Sequence, residues 1–357
     1  MPMPSSTYPT RQLGRSGPHV SVIGFGAMGL GAFYGKRADE KQAFDTLSYA
    51  ADRGVTFWDT ADIYGNSEET LGKWFAQTGR RSEIFLATKF GSRDLTPGAA
   101  NPDVPNSKPS YIKRQIENSL KALQTDWIDL YYQHRVDPEV PVEVVMETLR
   151  PYLDSGKIKY IGLSECSAEV LRRAKSVPGV GEKLIACQME YSPFEVEIEK
   201  DGFLSTAREL GVSVVAYSPL GRDRKLTIRR FKSAKDFGPD DIRSWFPRYQ
   251  GENFAKNLEL ADKFAAVGKK VGATPGQVAL AWILAENPDF VPIPGTKTIP
   301  RLEENAKAAE VKLSAEDVKE VREAVDAADV VGPRYPAKFM EMLAKPNLPL
   351  DQWKGEQ

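Results

Sequence analysis

The feature that most constrains the fold is a regular alternation of short, β-branched apolar runs with longer amphipathic stretches. Short apolar runs are typical of buried strands, whereas apolar residues spaced three and four apart indicate helices. Eight such runs occur, at 20–24, 56–59, 84–89, 128–134, 158–164, 184–189, 212–218 and 290–294. Helical windows lie between them, at about 39–54, 67–75, 110–123, 142–155, 167–176, 199–210, 255–268, 274–286 and 300–308. The alternation predicts repeated βα units and a parallel sheet.

Eight βα units in one chain favour a closed (β/α)8 TIM barrel, because each parallel crossover needs a covering helix. An open doubly wound sheet is the alternative, but eight units over roughly 290 residues favour the barrel. We predict one α/β domain over 1–357, with its core at about 10–310. Residues 8–19 are predicted to form an N-terminal β-hairpin that caps the barrel. Residues 219–254 form a basic and aromatic insertion, and 314–357 a C-terminal extension with one helix at about 315–327 and a proline-rich tail.

Composition narrows the possible partners. A net charge of −1 argues against nucleic acid or an acidic membrane as the main partner. The chain has two cysteines, Cys166 and Cys187, and two histidines, His19 and His134, without metal-ligand spacing, so we predict no disulfide framework and no metal site. An apolar leader and a run of about 18 apolar residues are also missing from the sequence, which favours a cytoplasmic protein with no membrane span.

One glycine-rich segment imitates a dinucleotide fingerprint. Gly24-Phe-Gly26-Ala-Met-Gly29 matches G-x-G-x-x-G and follows a strand-like run. In the fingerprint a helix opens at the last glycine, and an acidic residue follows about 20 residues later. Here the helical pattern starts near Asp39, and the next candidate acid, Asp59, lies about thirty residues on. We therefore interpret the segment as a βα loop whose bare backbone closely approaches another group.

Four ionisable residues lie at or just beyond the ends of consecutive predicted strands. Asp59 ends the second strand, Tyr64 follows in its loop, Lys89 ends the third and His134 ends the fourth. In a (β/α)8 barrel the active site is built at the carboxyl ends of the strands, and these strands are neighbours. One pocket is therefore expected to hold all four side chains.

The chemistry of these four side chains is complementary. A carbonyl that accepts hydride needs a proton on its oxygen, and a free tyrosine with a pKa of about 10 is a weak acid at neutral pH. The cation of Lys89 would lower the pKa of Tyr64, a carboxylate at Asp59 would keep the lysine charged, and a neutral His134 would orient the carbonyl. The alternative is that Asp59 and Lys89 form only a structural ion pair at the barrel rim.

At these residues the chain resembles the aldo-keto reductase superfamily, and the stretch 244–253 resembles its longer-chain bacterial, fungal and plant branch. The segment from Asp59 to Tyr64 resembles the Asp-x-x-x-x-Tyr signature of that family, and Lys89 and His134 fall where the family keeps its lysine and histidine. The resemblance covers about 10–310. It implies a catalytic tetrad with Tyr64 as the acid and the NADPH-dependent reduction of an aldehyde or ketone.

The resemblance also implies the cofactor contacts. Ser164 and Gln188 match groups that hold the nicotinamide carboxamide, and Tyr217 matches the aromatic ring that stacks on the nicotinamide. The family usually has Asn after that serine, whereas this chain has Glu165. Further contacts with NADPH or NADP+ are implied for Gly26, Ala27, Met28, Ser218, Leu220 and Gly221. The insertion resembles a loop that folds over the pyrophosphate, with Arg224 and Lys225 as sources of charge.

The most specific motif spans 293–305 and resembles the adenosine-phosphate site of the family. A strand end there leads into a helix start, and helix N-termini attract phosphate. Lys297 and Arg301 add positive charge, which favours NADPH over NADH. The implied phosphate contacts are Gly295, Thr296, Lys297 and Arg301, and the implied adenine contacts are Glu304 and Asn305.

The substrate is specified less closely. The predicted pocket walls are apolar or aromatic, which suits a hydrophobic or aromatic carbonyl compound. They are Phe25, Met28, Tyr34, Trp58, the loop 90–109, Tyr335, Phe339, Met340 and Trp353, with packing of the tail on the barrel side as the alternative. An NADPH-binding regulatory subunit with little turnover and a (β/α)8 enzyme for phosphorylated sugars are alternative functions. We expect a monomer or a small homo-oligomer.

Overall fold

The computed structural model describes residues 8–31, 39–221, 245–343 and 345–356. Tyr34 and the central part of the insertion, with Arg224 and Lys225, lie outside these residues. Strands β1 (Thr10–Gln12) and β2 (His19–Ser21) pair in an antiparallel hairpin, which confirms the predicted N-terminal hairpin.

Eight parallel strands follow in one sheet, each hydrogen-bonded to the next in chain order. They are β3 (Phe25–Gly26), β4 (Phe57–Asp59), β5 (Phe85–Phe90), β6 (Ile128–Gln133), β7 (Ile158–Ser164), β8 (Leu184–Glu190), β9 (Ser213–Tyr217) and β10 (Phe290–Pro292). The N–H groups of Gly24 and Gly26 donate to the carbonyls of Pro292 and Pro294, at 2.9 and 3.3 Å, so the first strand meets the last. These bonds close the sheet into the predicted (β/α)8 barrel.

The prediction of the first barrel strand at 20–24 is wrong. Val20 and Ser21 belong to β2 and pair with Arg11 and Thr10, and the barrel strand begins only at Phe25. The apolar run continues from the hairpin into the barrel without a break, so its composition alone did not separate the two elements. The other seven predicted runs match strands to within about two residues at each end.

Helices accompany the strands, and most of them cover the outside of the barrel. They are α1 (Met28–Gly31), α2 (Glu40–Asp52), α3 (Ser67–Thr78), α4 (Pro109–Ala122), α5 (Val142–Asp154), α6 (Ala168–Lys175), α7 (Phe203–Glu209), α8 (Gly251–Val271), α9 (Pro275–Glu286), α10 (Ile299–Lys307), α11 (Ala315–Asp326) and α12 (Ala337–Leu343). The single turn α1, which was not predicted, begins within the glycine-rich segment and ends just after it. None of the helices in the described ranges combines the length and apolar content that a membrane span requires.

The first turn of helix α2 is capped by a side chain and also contacts the loop before α10. The Asp39 side chain accepts from the N–H of Gln42 at 2.8 Å and so caps the N-terminus of the helix. The Gln42 side chain does not complete a capping box but donates to the Lys297 carbonyl at 3.0 Å. The start of α2 is therefore tied to the loop that precedes α10.

The barrel interior is filled by side chains from most of the strands. Phe57, Leu130, Tyr132 and Val215 are fully buried there, and Leu13 from the hairpin packs against the same cluster. Gly162 in β7 makes room for one of these rings, because an added Cβ would lie 2.2 Å from the Tyr132 ring. The interior is therefore a packed core, and function is confined to the rim.

We expect Gly162→Ala to destabilise the barrel by about 1–3 kcal/mol, because the new methyl group overlaps a fully buried ring on the neighbouring strand. Urea unfolding with an unchanged m-value measures this loss. Gly29→Ala is the matched control, since an added Cβ there meets only the Thr296 carbonyl, at 4.0 Å. Equal stability of Gly162→Ala and the native protein would contradict this account of the core.

The final segment, 345–356, packs on the outside of the barrel. Asn347 accepts from the Val142 N–H at 3.0 Å and donates to the Asp137 carbonyl at 2.8 Å, and the Arg173 guanidinium donates to the Leu348 carbonyl at 2.8 Å. Trp353 belongs to this final segment and packs against the core between strands and helices. The prediction of Trp353 as a wall of the substrate pocket is therefore wrong.

Candidate active site

The carboxyl ends of three neighbouring strands bring the four predicted catalytic residues together. Asp59 ends β4, Tyr64 lies in the following loop, Lys89 is near the end of β5, and His134 directly follows β6. The Lys89 Nζ atom lies 2.5 Å from Asp59 Oδ1 and 3.4 Å from Tyr64 Oη. The Tyr64 and His134 rings meet edge-on, with centroids 5.8 Å apart. One site therefore contains all four side chains.

Lys89 is the centre of this site and is fully buried. Besides Asp59 and Tyr64, its ammonium donates to the Thr60 carbonyl at 2.7 Å, so its three donors have three acceptors. Burial acts to lower the pKa of Lys89, but the charge of Asp59 and the hydrogen bonds to Asp59 and Tyr64 outweigh it and raise this pKa. The lysine is therefore a fixed cation beside the phenol.

The second oxygen of Asp59 accepts a hydrogen bond at 2.7 Å from Gln188, at the end of β8. The resemblance implied a cofactor contact for Gln188, and sequence reasoning missed this contact with the carboxylate. The two residues are separated by 129 positions. Their contact depends on barrel closure, and no local spacing in the sequence could have indicated it.

The pKa of Tyr64 departs from the expectation. Burial raises it, the cation of Lys89 opposes this, and the charge of Asp59 raises it further. The net result is a pKa above the usual value for tyrosine, so the expected net lowering by Lys89 is wrong, although its contribution has the expected sign. The cause is desolvation, which a sequence does not reveal. The phenol therefore keeps its proton at neutral pH.

His134 is buried beside this phenol. Burial, followed by the charges of Lys89 and Arg135, holds the pKa of the imidazole well below its usual value. His134 is therefore neutral at physiological pH, as the sequence analysis expected.

A cavity of about 350 Å³ extends from this site toward the start of α10. One end is lined by Asp59, Tyr64 and Gln188, and the other by Lys297, Arg301, Glu304 and Asn305. Between them lie Gly26, Met28, Gly29, Tyr217, Ser218, Pro219, Leu220, Ile293, Pro294, Gly295, Thr296 and Thr298. The cavity thus joins a polar catalytic end to a cationic end.

The cationic end has the features of a phosphate site. Helix α10 begins at Ile299 after the cap residue Thr298, and its first N–H groups carry partial positive charge. Arg301 makes an ion pair with Glu304 at 2.7 Å, and Thr274 donates to the same carboxylate at 3.0 Å. The two residues that were predicted to bind phosphate and adenine therefore already hold each other in place.

This groove fits a dinucleotide in shape and chemistry. Gly26 lines this groove and lies so close to the end of the neighbouring β10 that an added Cβ would be 2.9 Å from the Ile293 carbonyl. A bare backbone at this point, a phosphate-binding helix start and two cations at the far end are what a phosphorylated cofactor needs. The interpretation of the glycine-rich segment as a closely approached loop agrees with this geometry.

Comparison with known proteins agrees with the geometry. The sequence profile of the Aldo/keto reductase family matches residues 22–326. The chain belongs to the aldo-keto reductase family. Aldo-keto reductase str7 of Strobilurus tenacellus is 46% identical over 348 residues, which are 96% of this chain and 99% of that protein. Aldo-keto reductase yakc of Schizosaccharomyces pombe, whose name includes NADP(+), is 49% identical over 92% of this chain and 94% of its own length.

Solved aldo-keto reductases share the architecture. The thermostable enzyme Tm1743, crystallised with the inhibitor epalrestat, superimposes with a TM-score of 0.70 at 29% identity, over 88% of this chain and 99% of that one. AKR11C1 from Bacillus halodurans in its holo form gives a TM-score of 0.71 at 27% identity, over 91% and 97% of the two chains. The resemblance and the barrel fold are therefore confirmed.

Three predicted cofactor contacts of this aldo-keto reductase do not line the described cavity: Ala27, Ser164 and Gly221. The Ala27 N–H donates to the Asp59 carbonyl at 2.8 Å, and the Ser164 hydroxyl donates to the Gln188 carbonyl at 3.0 Å. Gly221 completes a turn with a φ of 71°. Ala27 and Ser164 thus support the strand ends, and the cofactor contacts of all three residues stay predictions.

Two predicted substrate walls are misplaced. Phe25 and Trp58 are buried, and Trp58 packs against Trp74 and Phe75 of α3 in the layer between strands and helices. Side chains along a strand point alternately to the inside and the outside of the barrel. Because Asp59 faces the cavity at the barrel mouth, its neighbour Trp58 must face the surrounding helices. The prediction of Phe25 and Trp58 as walls is therefore wrong.

Arg135, which the sequence analysis did not single out, lies beside the tetrad. Its guanidinium donates to the Tyr335 hydroxyl at 3.1 Å, and this hydroxyl lies 3.0 Å from that of Tyr217. Its position directly after His134 was a signal that could have found it. The C-terminal segment thus reaches the active site of this aldo-keto reductase.

Proposed function

We propose that this protein reduces an aldehyde or ketone to the alcohol with NADPH as the cofactor, and that Tyr64 supplies the proton. The observation that carries the proposal is the position of the Lys89 ammonium, which contacts both Asp59 and Tyr64 at one end of a groove whose other end is cationic. A structural ion pair at the rim would not need a phenol within reach of the ammonium. The name of the fission-yeast relative, which includes NADP(+), supports the cofactor.

Tyr64 is the acid in this proposal. Its pKa lies above the usual value, so the phenol is protonated when a carbonyl compound binds. As the carbonyl oxygen becomes an alkoxide, its basicity rises far above that of a phenolate, and the proton moves from Tyr64 Oη to this oxygen. The Lys89 ammonium at 3.4 Å stabilises the phenolate that remains.

The other two members of the tetrad are Asp59, which positions Lys89, and His134, which polarises the carbonyl group. Asp59 holds the Lys89 ammonium by a charged hydrogen bond, and Gln188 holds the carboxylate of Asp59. Neutral His134, edge-on to the Tyr64 ring, is placed to donate to the carbonyl oxygen without competing as an acid. Positioned acid catalysis of this kind contributes about 10²–10⁴ in rate.

NADPH, when bound, supplies the hydride that the carbonyl carbon accepts. We assign the binding of its added phosphate to Lys297, Arg301 and the first turn of α10, and the adenine to Glu304 and Asn305. The glycine-lined middle of the groove would hold the pyrophosphate, and the Tyr217 ring would stack on the nicotinamide. The rings of Tyr64 and Tyr217 at the catalytic end of the groove favour a hydrophobic or aromatic carbonyl compound as the substrate.

Fluorescence titration with NADPH and NADH, followed by NADPH oxidation against a panel of aldehydes, tests the proposal. We expect tighter binding of NADPH and turnover with at least part of the panel. Tight NADPH binding without turnover of any aldehyde would instead support the alternative of an NADPH-binding regulatory subunit. The absence of NADPH binding would refute both functions.

The cationic end predicts the cofactor preference. Replacing both Lys297 and Arg301 by Ala should raise the Kd for NADPH by about 10²-fold and leave the Kd for NADH within about 3-fold, because only NADPH carries the extra phosphate. Lys307→Ala is the matched control, since this exposed lysine lies at the other end of α10. An unchanged preference for NADPH in the double variant would show that the phosphate site is elsewhere.

A further inference from the structure

Glu165 directly follows β7 and carries a buried negative charge at the barrel mouth. Its side chain is 2% exposed, and its backbone adopts a φ of 51°, in the left-handed region. Arg334 donates to its two oxygens at 2.9 and 2.6 Å, and the Glu190 N–H donates at 3.0 Å. Burial opposes ionisation, but Arg334 lowers the pKa of Glu165 to about 2. The carboxylate is therefore committed to holding Arg334.

Arg334 belongs to the C-terminal crossing, which we define as residues 330–336, between α11 and α12. The crossing is also held from α8, because Val331 exchanges two hydrogen bonds with the Asn257 side chain at 3.0 and 3.2 Å. Arg248 donates to the Gly332 carbonyl at 3.0 Å. The bidentate Glu165–Arg334 pair, with a longer contact of Arg334 to Glu190 at 3.5 Å, binds the crossing to the ends of β7 and β8.

The next residue of the crossing, Tyr335, bridges two sides of the active site. Its hydroxyl lies 3.0 Å from that of Tyr217, which lines the groove, and accepts from Arg135, which follows His134. Tyr217 lines the groove together with Tyr64, and the His134 ring contacts that of Tyr64. Tyr335 therefore borders the space where the rest of a substrate would extend.

Aromatic rings continue outward from Tyr335. Its ring centroid lies 5.7 Å from that of Phe246, edge-on, and 6.3 Å from that of Phe339, which is 45% exposed. The three rings form an apolar surface beside the catalytic end, in which Phe246 is buried and Phe339 is exposed. Such a surface suits an aromatic or long apolar group, whereas a small aliphatic aldehyde would not reach it.

We propose that the Glu165–Arg334 ion pair is a positioning and specificity-determining element that fixes Tyr335 as a wall of the substrate site, so that the enzyme selects carbonyl compounds with large aromatic groups. The inference rests on the proposed carbonyl reduction and adds a determinant for its substrate class. The pair is bidentate and buried on the Glu165 side, so a one-sided change leaves an unpaired buried charge. Its loss would release Tyr335 while the tetrad, on other strands, stays intact.

The kinetic test compares 2-naphthaldehyde with propanal. We expect Arg334→Met to raise KM for naphthaldehyde about 10-fold, with kcat and the KM for propanal within about 2-fold of the native values. Arg334→Lys should recover part of the loss, because lysine restores the charge without the bidentate geometry. Arg172→Met is the control, since Arg172 forms a similar bidentate pair with Glu209, at 2.8 and 2.7 Å, on the barrel exterior. Equal effects on both aldehydes, or on neither, would overturn the proposal.

Hydrogen exchange gives a readout that does not depend on turnover. In Arg334→Met and in Glu165→Gln, amides of 330–340 should exchange at least about 10-fold faster than in the native protein, with the strand amides unchanged. If the native protein reduces no aldehyde, this measurement still tests the role of the pair, and the carbonyl-reductase proposal fails separately. Unchanged exchange in both variants would refute the role of the pair even in an active enzyme.

Discussion

Replacing Tyr64 with Phe should lower kcat for carbonyl reduction by about 10²–10⁴, because the variant keeps the ring and loses the proton donor. The Kd for NADPH should stay within about 2-fold, since the phosphate and adenine contacts lie at the far end of the groove. Steady-state kinetics with a fluorescence titration measure both quantities. Tyr152→Phe, on α5, is the control for loss of a tyrosine hydroxyl away from the site.

The pH profile of the same reaction tests the state of the phenol. Because burial raises the pKa of Tyr64 above its ordinary value of about 10, the proton is present throughout the neutral range. The kcat for reduction should therefore be flat near neutrality and fall only as the pH rises through the raised pKa. The lowered pKa of His134 predicts no decline near pH 6.5. Full activity of Tyr64→Phe would show that another group is the acid.

Replacing Lys89 with Met should cost both catalysis and stability. The variant leaves the Asp59 carboxylate buried without its counter-charge, which typically destabilises a protein by about 3–5 kcal/mol. It also removes the cation that stabilises the phenolate, so kcat should fall by at least about 10²-fold. Urea unfolding and kinetics at a temperature where the variant is folded measure the two losses.

A second substitution separates these effects. In Asp59→Asn/Lys89→Met the buried charge is gone, and most of the lost unfolding free energy should return. Turnover should remain as low as in Lys89→Met, because the phenolate still lacks its cation. Recovery of activity in the double variant would mean that Lys89 acts only through folding, and native stability of Lys89→Met would mean that Asp59 carries no charge.

The barrel and the tetrad could be predicted because their signals are local. Each strand is an apolar run a few residues long, and each helix shows its own periodicity. In a parallel barrel, consecutive strands are neighbours and their carboxyl ends share one rim, so the order of Asp59, Lys89 and His134 along the chain already predicted their proximity. The phosphate site at 293–305 could be predicted from a short segment as well, because the N-terminus of any helix carries partial positive charge.

Other features had no local signal. The run 20–24 was predicted as one barrel strand because the hairpin and the barrel both need apolar residues. The start of the run belongs to the hairpin. Phe25 and Trp58 were predicted as pocket walls because they are aromatic and lie next to Gly26 and Asp59, which line the cavity. Side chains alternate in direction along a strand, so these two rings point the other way. The net pKa of Tyr64 was mispredicted because the nearby cation can be read from the motif, whereas the loss of water around the phenol cannot.

By itself, the sequence determined the class of fold, the rim that bears the site and the four side chains that meet there, since spacing along the chain encodes periodicity and strand order. The hydrogen bond from Gln188 to Asp59, across 129 positions, and that from Arg334 to Glu165, across 169, became evident only in the folded barrel. Such contacts form when every intervening element has packed. Their partners, and the dielectric around them, are properties of the assembled barrel.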